Sequence, residues 1–167
     1  MLGALFLDKT ADAVLAALDQ AGAAGPVAVI DHARLGGLLV TRGRPVLQLA
    51  SRPRSLRRAG GDRVYASAAA LPLKAGALGA LVATGLGDLD DWEPRLAEWS
   101  RAVRDGGVLV LVDRGPAAEL SRRALCGGLA QVRQRAAGRS IVTSGAVVWI
   151  DQPPGDVSSV PSGTSNG

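Results

Sequence analysis

Short apolar runs and longer mixed segments alternate along most of this chain. The apolar runs are mostly Val, Leu and Ala, which is typical of strands buried on both faces of a sheet. They predict strands at residues 27–31, 45–50, 63–66, 78–84 and 108–112. The mixed segments predict helices at residues 8–22, 53–58, 92–104 and 116–125. We expect residues 32–42 to form a loop and then a short helix, because Gly36 and Gly37 interrupt the pattern.

The order of these elements predicts the fold class. Strands that alternate with helices indicate a doubly wound α/β fold, in which helices cover both faces of a mostly parallel sheet in three layers. Residues 130–135 and 140–150 predict an antiparallel closing hairpin at one end of that sheet. In the first helix, Thr10 is the predicted N-cap and Gly22 or Gly25 the predicted stop.

The chain divides into one predicted domain and a tail. Residues 1–150 suit a single domain, whose first part, residues 1–25, is an N-terminal helical segment. Residues 151–167 are rich in Pro, Gly and Ser and have little to bury, so they predict a disordered tail.

The N-terminal segment and the composition predict where the protein is found in the cell and the kind of genome that encodes it. The first residues are apolar but lack a positive region, which predicts no signal peptide. No apolar run approaches the roughly 20 residues that a membrane helix needs, so we expect a cytoplasmic protein with no membrane partner. Lys9 and Lys74 are the only lysines beside many arginines, and Ala and Gly are abundant. This bias indicates a GC-rich bacterial genome.

The middle of the chain resembles a known family. The run ALPL at residues 70–73, the apolar strand at 78–84, and the run RAVRDGG at 101–107 before the strand at 108–112 follow one another in order. This order resembles the class I S-adenosylmethionine-dependent methyltransferases, in particular the methyltransferase type 11-like group, over roughly residues 26–150. The resemblance implies a Rossmann-like sheet of about seven strands. It also implies S-adenosylmethionine as the cofactor if the site works.

The resemblance places a cofactor at the carboxyl ends of the strands. The family's glycine-rich pattern, similar to (D/E)xGxGxG, falls on residues 31–37, where Asp31 and Gly37 are kept but Ala33 and Leu35 replace glycines. Glycine there lets the backbone approach the cofactor, and a side chain would clash. If the site is retained, the cofactor-binding residues are Asp31, His32, Ala33, Gly36, Gly37, Ala50, Ser51, Ser67, Ala68, Thr84 and Gly85.

Three acids that the family places around the cofactor are missing. The acid that binds the ribose hydroxyls falls on Ala50, the acid that meets the adenine amino group falls on Ser67, and the acid that starts the fourth strand falls on Gly79. Each lost charged hydrogen bond costs about 1.5–3 kcal/mol, which is roughly a tenfold to hundredfold loss of affinity. The cofactor motifs are therefore degenerate, and we expect no cofactor.

Three functions are compatible with these features. The first is a non-catalytic methyltransferase-fold protein that acts as a binding or protein-interaction module, with another protein or a second copy as partner. Self-association would use the sheet edge predicted at residues 140–150. The alternative is an active S-adenosylmethionine-dependent methyltransferase with an atypical cofactor site.

The third function is binding of nucleic acid or an acidic partner, and it depends on charge. The chain carries a net charge of +4, whereas residues 42–63 alone carry +6 from seven arginines and one acid. Such a segment is either a solvated helix face or a patch for phosphates and acidic surfaces. The predicted anion or partner patch consists of Arg52, Arg54, Arg57 and Arg58.

Other side chains offer little chemistry. His32 beside Asp31 is a candidate general base, but a loop histidine bonded to backbone fits better because no second catalytic partner is near in sequence. The single cysteine, Cys126, is predicted to be buried and inert. Trp92 and Trp99, spaced i,i+7, predict core packing. One His and one Cys cannot assemble a zinc site, so we assign no metal ligand. Because His32 has no second catalytic partner near it in sequence, we also assign no catalytic residue.

Overall fold

The computed structural model describes residues 2–51 and 62–149, with side chains from residue 5 onward. Seven strands form one sheet: β1 Val27–Ile30, β2 Leu47–Ala50, β3 Arg63–Tyr65, β4 Leu78–Thr84, β5 Val103–Asp113, β6 Leu129–Ala137 and β7 Ser140–Val147. Within the described ranges, four helices accompany it: α1 Leu2–Gln20, α2 Ala33–Thr41, α3 Trp92–Ala102 and α4 Ala117–Cys126. A 3₁₀ turn spans Leu86–Asp88.

The strands lie in the order β3-β2-β1-β4-β5-β7-β6. The five strands from β3 to β5 pair in parallel, while β7 pairs antiparallel with both β5 and β6. The predicted fold class is therefore confirmed: a three-layer, doubly wound, mostly parallel α/β sheet with an antiparallel closing hairpin. The order reverses between β1 and β4, and in this class of sheet ligands bind at the carboxyl ends of the strands beside that point.

Strand β4 lies at the centre of the sheet and is buried on both faces. Leu81 and Ala83 point into a core shared with α3 and α4, whereas Ala80 and Val82 point into a core shared with α1 and α2. Because every residue from Leu78 to Ala83 is buried, the strand contains no polar side chain before Thr84. This explains why an uninterrupted apolar run predicted the strand bounds correctly.

The first helix begins earlier than predicted. Helix α1 starts at Leu2, so Thr10 is not an N-cap but lies inside the helix, where its hydroxyl donates to the Phe6 carbonyl at 3.0 Å. The predicted stop at Gly22 is confirmed, since Gly22 has a φ of +59° and the Ala23 amide donates to the Leu18 carbonyl at 3.0 Å. These bonds form the Schellman closure that a left-handed glycine permits.

The second helix was also predicted wrongly, as a loop followed by a short helix. Helix α2 instead begins at Ala33 and runs through both Gly36 and Gly37. Gly36 is buried against β2, and a Cβ added there would lie 2.7 Å from Cδ of Gln48. The glycine is thus required by close packing of the helix on the sheet, and this packing outweighs the low helix propensity of glycine.

The third helix ends, and the fifth strand begins, earlier than predicted. Helix α3 ends at Ala102 and β5 starts at Val103, which pairs with Leu78. The pairing resumes at Val108 opposite Ala80, so the intervening residues bulge out of the ladder. Gly106 adopts a φ of +69° within this bulge, which is the left-handed region that favours glycine.

The closing hairpin places a different strand at the sheet edge from the one predicted. Strand β7 lies inside the sheet between β5 and β6, so it cannot be the exposed edge that was expected at residues 140–150. The edge strand is β6, and the other edge is β3. Any strand addition at the hairpin would therefore use β6.

Two predicted segments lie outside the described residues. These are the basic helix at residues 53–58, with its arginine patch, and the tail at residues 151–167. Among the described helices, none is both long and apolar enough to span a membrane. The cytoplasmic location and the bacterial source stay predictions.

A pair of glycine substitutions tests the packing beneath β4. A Cβ added at Gly79 would overlap the Ala24 carbonyl oxygen, whereas one added at Gly37 has no atom within 4 Å. We expect Gly79→Ala to lower the free energy of unfolding by about 3 kcal/mol or more, because backbone must move to admit the methyl group. The control, Gly37→Ala, should raise it by about 0.5–1 kcal/mol through helix propensity.

Urea unfolding followed by circular dichroism measures both changes. Equal stabilities for the two variants would contradict the close contact between β4 and the segment before β1.

Candidate functional site

The candidate site is the edge of the sheet where the parallel strands end. Asp31 directly follows β1, Ser51 directly follows β2, and Thr84 ends β4. Ser67 lies two residues after the end of β3. The carboxyl ends of neighbouring parallel strands meet at one edge, so the structure brings these predicted positions together. Asp113 at the end of β5 joins them.

The carboxylate of Asp31 is bound by Ser51. Asp31 Oδ1 accepts from the Ser51 amide at 2.7 Å, and the Ser51 hydroxyl lies 3.0 Å from Oδ1 and 2.9 Å from Oδ2. Asp31 has a φ of +52°, an unusual conformation that an Asp tolerates better than most residues. The one acid retained from the family's pattern is therefore used to join the ends of β1 and β2.

The turn after β1 has no glycine loop. Helix α2 starts at Ala33, two residues after Asp31, and His32 caps it by accepting from the Leu35 amide at Nδ1, 3.1 Å away. Free amides at a helix N-terminus are what an anionic or polar ligand would use. Here one of them is bound by His32, whose pKa is lowered by burial.

His32 contacts the backbone of its own helix. Its Nδ1 accepts a backbone hydrogen bond, as expected for the loop-histidine interpretation rather than the general-base one. Leu35 is fully buried in the core beneath α2. Ala33 and Leu35 therefore belong to a helix that packs on the sheet, and not to a loop that wraps a ligand.

The second strand offers no acid at its end. Ala50, at the position where the resemblance led us to expect a ribose-binding carboxylate, is 4% exposed. Gly79, where another acid was expected, lies against Ala24 and Gly25, and no side chain fits there. At both positions where an acid was expected, the residue present is closely packed against its neighbours.

The loop after β3 is held by α3. Ser67 is exposed, and its hydroxyl accepts from the Ala69 amide at 3.2 Å, so it serves the local turn. The buried Trp99 donates through Nε1 to the Ala68 carbonyl at 2.8 Å. Two backbone carbonyls further along, those of Leu71 and Leu73, accept from Arg101.

Glu98 completes this attachment. It accepts from the Leu71 amide at 2.7 Å and pairs with Arg101, whose guanidinium holds the pKa of the Glu98 carboxyl below its ordinary value. The loop after β3 is thus fixed by side chains of one helix, α3.

The two tryptophans of this helix pack in the core. Trp99 is buried in the core, as its spacing predicted. Trp92 is partly buried against the same core, and the Arg123 guanidinium lies 5.5 Å from its ring centroid.

Asp113 is a site residue that the sequence did not single out. It is 3% exposed, and its Oδ1 accepts from the Gly87 amide at 2.9 Å. Its Oδ2 has no hydrogen-bond partner among the described residues. Burial raises the pKa of this carboxyl, and the neighbouring Asp88 raises it further. The one signal in the sequence was a single acid directly after a fully apolar strand.

The loop beside Asp113 follows β4. Gly85 has a φ of +80° and donates to the Val112 carbonyl at 3.3 Å, and Thr84 is only partly buried. Arg123 of α4 donates to the carbonyls of Leu86 at 2.9 Å and Leu89 at 3.1 Å. The loop is therefore fastened to α4 on one side and to β5 on the other.

Cys126 is not buried as predicted, and the predicted arginine patch lies outside the described residues. Cys126 was expected to be buried, but it is exposed at the end of α4, because it lies on the helix face that turns away from the buried Leu120 and Ala124. The patch of Arg52, Arg54, Arg57 and Arg58 lies outside the described residues. Within residues 2–51 and 62–149, no three His, Cys, Asp or Glu side chains are placed to hold a metal ion.

The described residues at the strand ends do not fit S-adenosylmethionine well. The Asp31 carboxylate and the Leu35 amide already have partners, and Ala50 cannot bind a ribose. Gly36 is explained by its contact with Gln48, and not by close approach to a ligand. The contacts of Asp31 and Leu35 join neighbouring elements to one another at these strand ends.

Comparison with known proteins identifies the fold. No protein-family model matches the sequence, and no curated protein sequence matches it. Among solved structures, a putative S-adenosyl-L-methionine-dependent methyltransferase from Methanococcus maripaludis matches with a TM-score of 0.71 and 11% identity, over 89% of this chain and 88% of that one. The chain therefore has the fold of the class I S-adenosylmethionine-dependent methyltransferases.

Two other solved structures are similar. One contains a putative methyltransferase with the Haloferax volcanii Trm112 methyltransferase activator, with a TM-score of 0.66, 12% identity, and coverage of 81% of this chain and 89% of that one. The other is the Thermus thermophilus 16S rRNA N2 G1207 methyltransferase RsmC in complex with AdoMet and guanosine, with a TM-score of 0.59 and 20% identity. The latter match covers 75% of this chain and 36% of that one.

The buried Asp113 predicts a pH dependence of stability. Because the folded state raises the pKa of Asp113, ionisation of this carboxyl disfavours folding. Its contribution to stability is therefore lost as the pH rises from its ordinary value of 3.8 through the raised pKa. We expect Asp113→Asn to remove this loss, so that the variant gains stability relative to wild type as the pH rises.

Urea unfolding across the acidic to neutral range measures the difference between variant and wild type at each pH. Asp19→Asn, at an exposed position of α1, is the control for removal of a carboxylate that is not buried. A difference between Asp113→Asn and wild type that stays constant with pH would contradict the role of burial.

Proposed function

We propose that this protein is a non-catalytic member of the methyltransferase-fold class and acts as a binding or protein-interaction module. The observation that carries the proposal is the Asp31 carboxylate, which makes three short contacts to Ser51 where the cofactor would lie. A carboxylate satisfied by a backbone amide and a hydroxyl gains little from a ligand that must first displace them. The buried methyl group of Ala50 supports the same conclusion.

The alternative is an active methyltransferase with an atypical cofactor pose. The overall fold and the retained Asp31 favour it, and a structural neighbour, RsmC, is in complex with AdoMet. In that case the cofactor would bind beside Asp31, Ser67 and Thr84, at the strand ends. The non-catalytic proposal accounts better for the partners that Asp31 and Leu35 already have.

The partner in this proposal is another protein or a second copy of the chain. One structural neighbour is a putative methyltransferase in complex with an activator protein, which supports partnering by this fold. Nucleic-acid binding through Arg52, Arg54, Arg57 and Arg58 stays a weaker prediction. It requires an affinity that falls steeply with salt.

A thermal-shift experiment with S-adenosylmethionine and S-adenosylhomocysteine tests the proposal. A ligand that binds only the folded state raises the melting temperature by mass action. We expect no rise for wild type with either ligand, even at millimolar concentration. Adenosine at equal concentration controls for nonspecific effects of the nucleoside.

A clear rise with S-adenosylhomocysteine would overturn the non-catalytic role. Asp31→Asn and Ser67→Ala then locate the ligand, because loss of the rise in these variants places it at the strand ends. Both residues are exposed, so the two substitutions disturb the core little.

A further inference from the structure

The edge strand β6 presents two arginines on one face. Arg133 and Arg135 are two residues apart and both are exposed, so their side chains leave the strand on the same side about 6.6–6.8 Å apart. They pair with Ser144 and Val142 of β7, and the pairing is regular from Arg133 to Ala137. The opposite edge of β6 has no strand beside it among the described residues.

These two guanidinium groups have no acidic partner in the described ranges. By contrast, Arg42 pairs with Asp8 and Asp12 of α1. Arg42 offsets one of these two negative charges, and Asp12, which also lines the cavity beside Arg135, reduces the positive charge there without reversing it. Lys9 is exposed close by and adds a further positive charge.

A groove runs beside these charges, between α1 and the β6–β7 hairpin. It consists of three adjoining cavities of about 300, 390 and 160 Å³, joined through shared lining residues. Arg135 and Ala13 line the first two, while Arg133, Ala17 and Gln20 line the second and third. Small residues on α1 leave room, and the groove walls carry Arg, Gln and Ser side chains that suit a polar occupant.

We propose that β6 and this groove form a docking surface for an extended, acidic segment of another protein, which pairs with β6 as an additional strand. Carboxylates at alternate positions of that segment lie over Arg133 and Arg135. Strand addition supplies main-chain hydrogen bonds, and the alternating side chains supply specificity. The inference rests on the binding role proposed above and names its surface and the chemistry of its partner.

Charge complementarity favours this occupant over a second copy of the chain. Antiparallel pairing of two β6 strands would set the arginines of one copy beside those of the other, and like charges opposite each other destabilise a strand pair. Gln131, with a φ of +51° at the bulge in β6, also interrupts the ladder before Arg133. Bulges and charges of this kind protect an edge from indiscriminate pairing.

An acidic polypeptide also suits the surface better than nucleic acid. The groove offers three positive charges, from Lys9, Arg133 and Arg135, against one negative charge, from Asp12, together with a free strand edge of peptide donors and acceptors. A polypeptide strand satisfies both features, whereas a phosphate backbone uses only the charges.

The test is fluorescence anisotropy of a short labelled peptide of alternating glutamate and valine with the full chain. We expect saturable binding that weakens by roughly tenfold or more in the Arg133→Glu/Arg135→Glu variant. The matched control, Arg34→Glu/Arg114→Glu, makes the same charge change at two exposed positions outside the groove and should bind as wild type does. The same peptide with alternate backbone amides N-methylated should not bind, because it cannot pair with β6.

Four results would overturn the proposal. These are no binding of the acidic peptide, equal binding of its N-methylated form, tighter binding of a short oligothymidylate, and a chain that is dimeric through β6 by sedimentation and crosslinking. The result is independent of the cofactor experiment. Binding of S-adenosylhomocysteine would overturn the non-catalytic role and leave the peptide result standing, and absence of peptide binding would leave the cofactor result unchanged.

Discussion

The burial of β4 on both faces is the constraint on which the rest of this structure depends. A strand with no solvent-facing side must be apolar throughout, and it must be covered by helices on each side. Leu81 and Ala83 meet one layer, and Ala80 and Val82 meet the other. Since aromatic residues make up only 3% of the chain, small aliphatic side chains fill these layers, and backbone segments approach one another closely. The contact of Gly79 with Ala24 is one result.

Close contacts between backbone segments also determine which side chains fit at the carboxyl ends of the strands. The segment before β1 occupies the space that a side chain at Gly79 would need, and α2 lies so near β2 that Gly36 must lack a side chain. Ser51 then joins the ends of β1 and β2 through the Asp31 carboxylate. At the strand ends, the Asp31 carboxylate and the Leu35 amide are engaged in contacts that hold strands and helices together. Under the non-catalytic proposal, stability of the scaffold and loss of the ligand site share one cause.

Most of the fold could be predicted from the sequence, because apolar runs with no internal polar residue define buried strands. The bounds of β4 were predicted correctly for this reason. The start of α2 was predicted wrongly because Gly36 is a poor helix former, and the contact of Gly36 with Gln48 across the fold explains why a glycine lies in this helix. The edge position of β6 was missed because strand order depends on how the hairpin folds back, which local pattern does not encode.

The site was predicted in part. The absence of acids at Ala50, Ser67 and Gly79 could be inferred from alignment to the family's pattern. The partners of Asp31 and the burial of Asp113 could not, since each depends on residues that are distant in sequence and meet only in the folded sheet.

An NMR titration tests most directly the proposal that the strand ends do not bind S-adenosylmethionine or its product. In a ¹⁵N-resolved spectrum, the amides of Asp31, Ser51 and Thr84 report on that edge of the sheet. The account predicts that these signals stay in place when S-adenosylhomocysteine is added to millimolar concentration. Saturable shifts confined to these amides would contradict it.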